Sequence, residues 1–389
     1  MRVVVLGAGY AGMSAAVQLA ARTKGRGDVE VSVVDAHERF TERLRLHMAA
    51  TGQPLARYGL RELLGNAGAR FVCGRVTAVD PAARTVRLGD GRELGYDTLV
   101  YALGSGADLG AVPGAGDHAY TLDSLRDAER LADGLGRLTG GPVVVCGGGL
   151  TGVEAAAELA ERYPRLGVVL LGRDEPGAGL HPRARAYLAA ALRRLGVDVR
   201  AGVEVAKVLP DAVELAGGER VAAGAVLWAA GTRAAPLAAA AGLAVDGLGR
   251  IVTDAALRSV SHPDVYAVGD AAAIRQGYGL MHGTCQSGMP TGVHAALSIV
   301  RQLAGRAPRP FRFGYYHTPV SLGRRDAVVQ FTRPDGRPRP LLLTGRVAAR
   351  YKETVSAAPW PTFARMLRLP ASGAWWPRGG RYTRREAAA

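Results

Sequence analysis

Two glycine triplets mark where this chain can hold an anion: Gly7, Gly9 and Gly12 in GAGYAG, and Gly147, Gly149 and Gly152 in GGGLTG. Each follows an apolar, β-branched run (2–6 and 142–146) and precedes an alanine-rich stretch of helical character. The first glycine of such a loop permits the turn, the second admits a pyrophosphate to the backbone, and the third lets the helix pack on its strand. The anion then rests on free N–H groups at a helix N-terminus. A lone triplet is often an ordinary turn. Here the strand, the helix and an acid 23 residues after Gly12, Asp35, supply the context that makes the motif specific. Asp35 and its neighbour Ala36 are expected at an adenosine ribose, with Tyr10 and Ala11 in the first loop and Leu150 and Thr151 in the second. After the second loop the next apolar run ends in Gly172-Arg173-Asp174-Glu175. Arg173 suits a 2′-phosphate and the acids suit a free 2′-hydroxyl, so both NADH and NADPH stay open as cofactors.

Three further runs end at glycine. Residues 96–105 place Ala102 and Gly104 at a strand end, 225–233 place Ala230 and Gly231, and 265–272 place Gly269 and Asp270. A carboxylate directly after a strand-end glycine is well placed to accept bonds from polyol hydroxyls. These motifs, in this order, resemble the two-dinucleotide-binding flavoprotein family over about residues 1–305. The resemblance implies an α/β protein of two Rossmann-like dinucleotide-binding domains, the NAD(P) fold inserted into the FAD fold, followed by a C-terminal α+β segment. The expected boundaries are 1–112 and 245–305 for FAD, 113–244 for NAD(P)H and 306–389 for an interface or anchor region.

Within that family the chain looks most similar to type II NADH dehydrogenases. The segment 38–47 (ERFTERLRLH) stands where the disulfide reductases carry paired cysteines, and it has none. The resemblance therefore implies hydride transfer from NAD(P)H to FAD and electron exit to a small quinone-like aromatic acceptor. It places Arg43 and Cys285 at the flavin and Gln286 at both flavin and acceptor. It also assigns Glu154 to nicotinamide positioning and Lys352 to charge near the reduced flavin. In TCQSGMPTG (284–292) Gln286 matches the first glutamine of the family's AQxxxQ segment, but Pro290 replaces the second, which bears on the quinone rather than the flavin. His47, His282 and His294 are candidate proton relays.

Composition narrows the remaining classes. The 389 residues are 48% hydrophobic with no run of the roughly 20 apolar residues a membrane span needs, so a cytoplasmic protein is expected. Cys73, Cys146 and Cys285 are too scattered for a zinc site or a dithiol motif, and no metal is expected. Of the net charge of +15, residues 301–389 carry +14, from 18 basic against 4 acidic side chains. With Trp360, Trp375 and Trp376, this tail reads as a peripheral contact with the inner face of a membrane, or as a solvated or homodimer-forming surface. No nucleic-acid motif accompanies the charge, so nucleic acid is not an expected partner. A flavoprotein reductase donating electrons to a ferredoxin-like protein, or a dedicated secondary-metabolite redox enzyme, is the alternative functional reading. A sulfide:quinone oxidoreductase is disfavoured because its chemistry needs adjacent thiols. If Arg173 meets a 2′-phosphate, Arg173→Ala should raise the KM for NADPH far more than that for NADH in steady-state assays. An equal effect on both would leave the arginine a solvent-facing residue.

Overall fold

The computed structural model describes residues 1–138 and 140–384. Its two main sheets are parallel, as strands buried on both faces require: Val3 to Leu6 and Val143 to Cys146 are each at most 3% exposed. The first sheet runs Val265–Ala267, Thr98–Tyr101, Arg2–Leu6, Glu30–Asp35, Arg70–Cys73 from edge to edge. The second runs Ala119–Tyr120, Ala225–Trp228, Val143–Cys146, Val168–Gly172, Val197–Ala201. In both, the strand feeding a glycine loop lies in the middle, where the strand order reverses. That reversal opens a crevice at the carboxyl ends of the strands.

The internal repeat goes further than the loops. A three-stranded antiparallel ribbon, 76–80, 85–88 and 93–95, precedes the return of the chain to the first sheet. A second ribbon, 205–208, 212–215 and 220–222, does the same for the second sheet. The chain leaves the first unit along Ser105–Ala107 and re-enters it along Thr232–Ala234, and these two strands pair antiparallel. The second sheet is thus an excursion closed by a two-stranded ribbon.

Small residues let the helices of the first unit meet closely. A Cβ on Gly292, in helix Cys285–Leu303, would lie 1.9 Å from the carbonyl oxygen of Ala11 in helix Tyr10–Thr23. Glycine there removes that clash.

The tail packs more than its composition suggests. Strands His317–Ser321, Ala327–Thr332 and Pro338–Thr344 form an antiparallel sheet, followed by helices Gly345–Ala357 and Pro359–Arg368. The prolines of 359–361 start the second helix rather than break it, because a first-turn residue has no intrahelical N–H bond to lose. Phe363 is fully buried and Met366 is 3% exposed. Trp360 stacks on Tyr58 at 4.7 Å, and the Trp376 indole N–H donates to the Arg312 carbonyl at 2.8 Å. Of the three tryptophans expected at an interface only Trp375, 93% exposed, stands clear of the body. Phe363→Ala should therefore lower the urea-unfolding free energy by about 3–5 kcal/mol, as for a large core aromatic. A loss below about 1 kcal/mol, the range of surface changes, would mean that the tail is an appendage.

Candidate functional site

The first glycine loop opens into a cleft of about 450 Å3. Gly7 has φ +92°, and a Cβ on Gly12 would sit 1.8 Å from the Gly7 carbonyl oxygen, so the helix rests directly on the turn. Nothing lies within 4 Å of the Cβ position of Gly9, which leaves its approach open. Helix Tyr10–Thr23 has no side-chain cap and no acid in its first turn. Its terminal N–H groups are thus available to an anion. By contrast, helices Leu125–Arg137 and Cys285–Leu303 are capped by Ser124 and Thr284. Asp35 accepts the Ala8 N–H at 2.7 Å and the His37 N–H at 2.8 Å, so it also holds the loop. Tyr10, Ala11, Ala36, Arg43, Ala102, Gly104, Gly269, Asp270 and Cys285 all line this cleft. Arg43 donates to the Ser105 carbonyl at 3.1 Å. Burial pushes the Asp270 carboxyl upward, while Arg43, Arg250 and a Ser105 hydroxyl bond pull it back. Gly283 makes room for it, since a Cβ there would lie 2.2 Å from Asp270 Oδ1. Neither Gly283 nor Arg250 carried a motif signal in the sequence.

The second cleft, about 800 Å3, repeats the arrangement. Gly147 has φ +126°, and a Cβ on Gly152 would lie 1.9 Å from its carbonyl oxygen. Helix Leu150–Arg162 is likewise uncapped and without an acid in its first turn. Gly147, Gly149, Leu150, Arg173, Ala230 and Gly231 line the cleft, together with Asp174 and Glu175. Thr151 is exposed and lies outside this lining, and Gly12 and Gly152 sit beneath their loops rather than facing a cleft. The C-terminal segment contributes Tyr315, Thr318 and Gly336 to the wall. A chamber of about 100 Å3 shares Gly269 and Asp270 with the first cleft and His282 with the second, so it lies between the two glycine-loop clefts.

The expected catalytic residues Glu154, Gln286 and Lys352 line neither cleft nor the chamber, but belong to clusters that only the folded chain assembles. Lys352, 8% exposed, donates to Glu154 Oε1, which also accepts the Ser321 N–H at 2.9 Å. Burial pushes the Lys352 ammonium down, to about 7, with Glu353 pulling the other way. Gln286, next to the cleft-lining Cys285, donates to the His317 carbonyl at 3.3 Å, and its Oε1 is buried with no partner among the described residues. His317 Nδ1 lies 2.7 Å from the Tyr351 hydroxyl. His47 is buried within electrostatic reach of Lys352, and burial chiefly holds its pKa down at about 3. Of the other candidate relays, His282 stacks on Tyr315 at 4.0 Å beside the chamber. His294 is elsewhere, bonded to the Arg309 carbonyl at 2.9 Å and lining neither nucleotide cleft. The sequence did hold one unused signal: Glu154, Glu158 and Glu161 share a helix face and bind Ser321 and Arg324 of the C-terminal sheet.

The cysteines are free, and burial raises Cys146 and Cys285 to about 12, against thiolate chemistry. No cluster of three His, Cys, Asp or Glu side chains suited to a metal occurs among the described residues, nor any helix long and apolar enough to cross a membrane.

Comparison with known proteins agrees with this geometry. The pyridine nucleotide-disulphide oxidoreductase family matches residues 1–297. An NADH dehydrogenase-like protein of Mycobacterium tuberculosis is 35% identical over 377 residues, covering 91% of this chain and 93% of that protein. A demethylphylloquinone reductase of Synechocystis is 29% identical over 348 residues, 84% of this chain and 86% of the relative. Among solved structures, a sulfide:quinone oxidoreductase of Aquifex aeolicus aligns with TM-score 0.79 over 94% of this chain and 91% of that one. Its 20% identity speaks to the fold alone.

Burial of histidine makes stability depend on pH. His47 is held at about 3, and His294 and His317 at about 4, in each case by burial first. The unfolded chain takes up these protons near pH 6.5, so as pH falls it binds more protons than the folded one and stability is lost. The urea midpoint should decline already between about pH 6.5 and 5, above the main carboxylate range. A midpoint independent of pH over that interval would contradict the neutral, buried assignment.

Proposed function

The chain belongs to the pyridine nucleotide-disulphide oxidoreductase family, and on that premise we propose that it is an FAD-dependent NAD(P)H dehydrogenase passing electrons to a quinone-like aromatic acceptor without a redox disulfide. The observation that carries this reading is that two glycine-loop clefts flank one chamber, which Asp270 shares with the first and His282 with the second. A binding protein for one nucleotide has no need of it. The relatives, an NADH dehydrogenase-like protein and a demethylphylloquinone reductase, support the same donor and acceptor classes.

In this reading the first cleft holds FAD. The open backbone at Gly9 and the uncapped helix Tyr10–Thr23 suit its pyrophosphate, Asp35 its adenosine ribose, and Asp270 its ribityl hydroxyls. The second cleft holds NAD(P)H by Gly147, Gly149 and Leu150, with Arg173, Asp174 and Glu175 at its adenosine end. When bound, FAD supplies two-electron transfer between nicotinamide and acceptor. The chain's own residues supply orientation and charge. Lys352 Nζ is held against Glu154, and because burial pushes its pKa down to about 7, negative charge nearby decides whether the proton stays. Burial of that pair keeps its field unscreened, so it can offset negative charge gained by a neighbouring ring system. Gln286, with one amide atom unpaired, is the candidate contact for the acceptor.

The purified protein should be yellow and release FAD on denaturation. Asp270→Ala should weaken flavin retention with little loss of fold. Lys352→Met should retain flavin yet lower kcat with a short-chain quinone about tenfold or more, the scale of one lost electrostatic contact. Turnover should vary little with ionic strength. A steep fall with salt would point instead to a docked protein acceptor. A colourless protein that also refuses added FAD would end this reading.

A further inference from the structure

The two glycine-loop units repeat one another position by position. In the first, the Gly7 N–H donates to the Val34 carbonyl at 2.7 Å, and Leu6 pairs with Val34 across the parallel strands. In the second, the Gly147 N–H donates to the Leu171 carbonyl at 2.8 Å, and Cys146 pairs with Leu171. The residue that follows is therefore one structural position in both units, Asp35 in the first and Gly172 in the second. It is the strand end at which an acid takes the ribose 2′-hydroxyl of a dinucleotide.

The two units fill that position differently. The Asp35 carboxylate lines its cleft and accepts the N–H of Ala8, the residue after the first loop glycine, at 2.7 Å. The equivalent of Ala8 in the second unit is Gly148, and main chain packs where the first unit has side chains. A Cβ on Gly172 would lie 3.1 Å from the N and Cα of Gly148 and from the Asp174 carbonyl oxygen. One on Gly148 would lie 3.2 Å from that same oxygen. A side chain at 172 would have to push backbone aside, so the missing acid is built into the loop. Asp174 and Glu175 also line the cleft, but they follow the strand end by two and three residues and do not stand where Asp35 stands.

Arg173 follows Gly172 directly and is the one lysine or arginine in the wall of this cleft. A guanidinium meets a phosphate through paired, charge-assisted hydrogen bonds, whereas a strand-end carboxylate would repel it. At the 2′ position the second cleft thus exchanges a contact that suits a hydroxyl for one that suits a phosphate.

We propose that the second cleft selects NADPH over NADH, Gly172 by withholding the strand-end acid and Arg173 by binding the 2′-phosphate. This selectivity rests on the reading of the second cleft as a nicotinamide-dinucleotide site. It needs neither the flavin nor the acceptor.

The test uses the FAD-loaded full chain and two ligands that differ only in the 2′-phosphate, adenosine 2′,5′-bisphosphate and adenosine 5′-monophosphate, titrated calorimetrically. The wild type should bind the bisphosphate about tenfold or more tightly than the monophosphate. R173Q should bring the two affinities within about threefold of each other without weakening the monophosphate, and R173K, which keeps the charge but not the planar fork, should fall between. R185Q, at an exposed arginine outside the cleft lining, should keep the wild-type preference. Stopped-flow bleaching of the flavin gives a second readout, in which NADPH should half-saturate at a concentration about tenfold or more below NADH. Equal or weaker binding of the bisphosphate, no binding of either ligand, or a preference that survives R173Q overturns the selectivity. An equal loss in R185Q overturns it too, by reducing it to net charge. Bleaching by NADH alongside any of these results leaves the dehydrogenase standing. A bisphosphate preference lost in R173Q, with no bleaching by either nucleotide, upholds the selectivity and ends the dehydrogenase reading instead.

Discussion

The Glu154–Lys352 ion pair ties the parts of this molecule to one another. Two charges removed from water are costly unless each meets the other in good geometry, and breaking such a pair by removing one partner is strongly destabilising. Glu154 belongs to the helix behind the second glycine loop, and Lys352 to a helix in the last quarter of the chain. Glu158 and Glu161 extend the contact to Arg324 on the same face. Through Thr51 and Gln53, Glu158 also reaches a segment of the first unit. One acidic helix face thereby registers three parts of the chain against one another.

That registration matters because the two loops are each rigid by construction. In both, the third glycine puts the helix against the carbonyl of the first, leaving no space for a methyl group. A loop so held presents its N–H groups in fixed directions, but it says nothing about where the other loop lies. Relative placement comes from the antiparallel ribbon at 105–107 and 232–234 and from the C-terminal sheet that walls the second cleft with Thr318. The terminal segment is therefore a working part of the site as well as a basic surface. Its charge divides accordingly. Lys352 faces inward to an acid, while the arginines around Trp376 form no ion pair among the described residues.

Much of this was determined by the sequence alone. Both glycine loops, their strands and helices, Asp35, the strand-end glycines and Asp270 were legible because each depends on local geometry: a turn that only glycine makes, a helix start within four residues, an acid at a strand end. The family resemblance and the α/β class follow from the order of those local signals. What tertiary structure decided is everything that joins distant residues. The His317–Tyr351 contact, the carbonyl that Gln286 holds and the room that Gly283 leaves for Asp270 have no spacing rule, since their partners come from different elements. The same holds for the tail. Its basic residues and tryptophans read as a membrane-contacting, solvated or dimer-forming surface, yet burial of Phe363 and stacking of Trp360 on Tyr58 draw part of it onto the first unit. Local propensity is printed residue by residue in a sequence, whereas burial is a property of the assembled surface, so only the fold could choose between solvent and core.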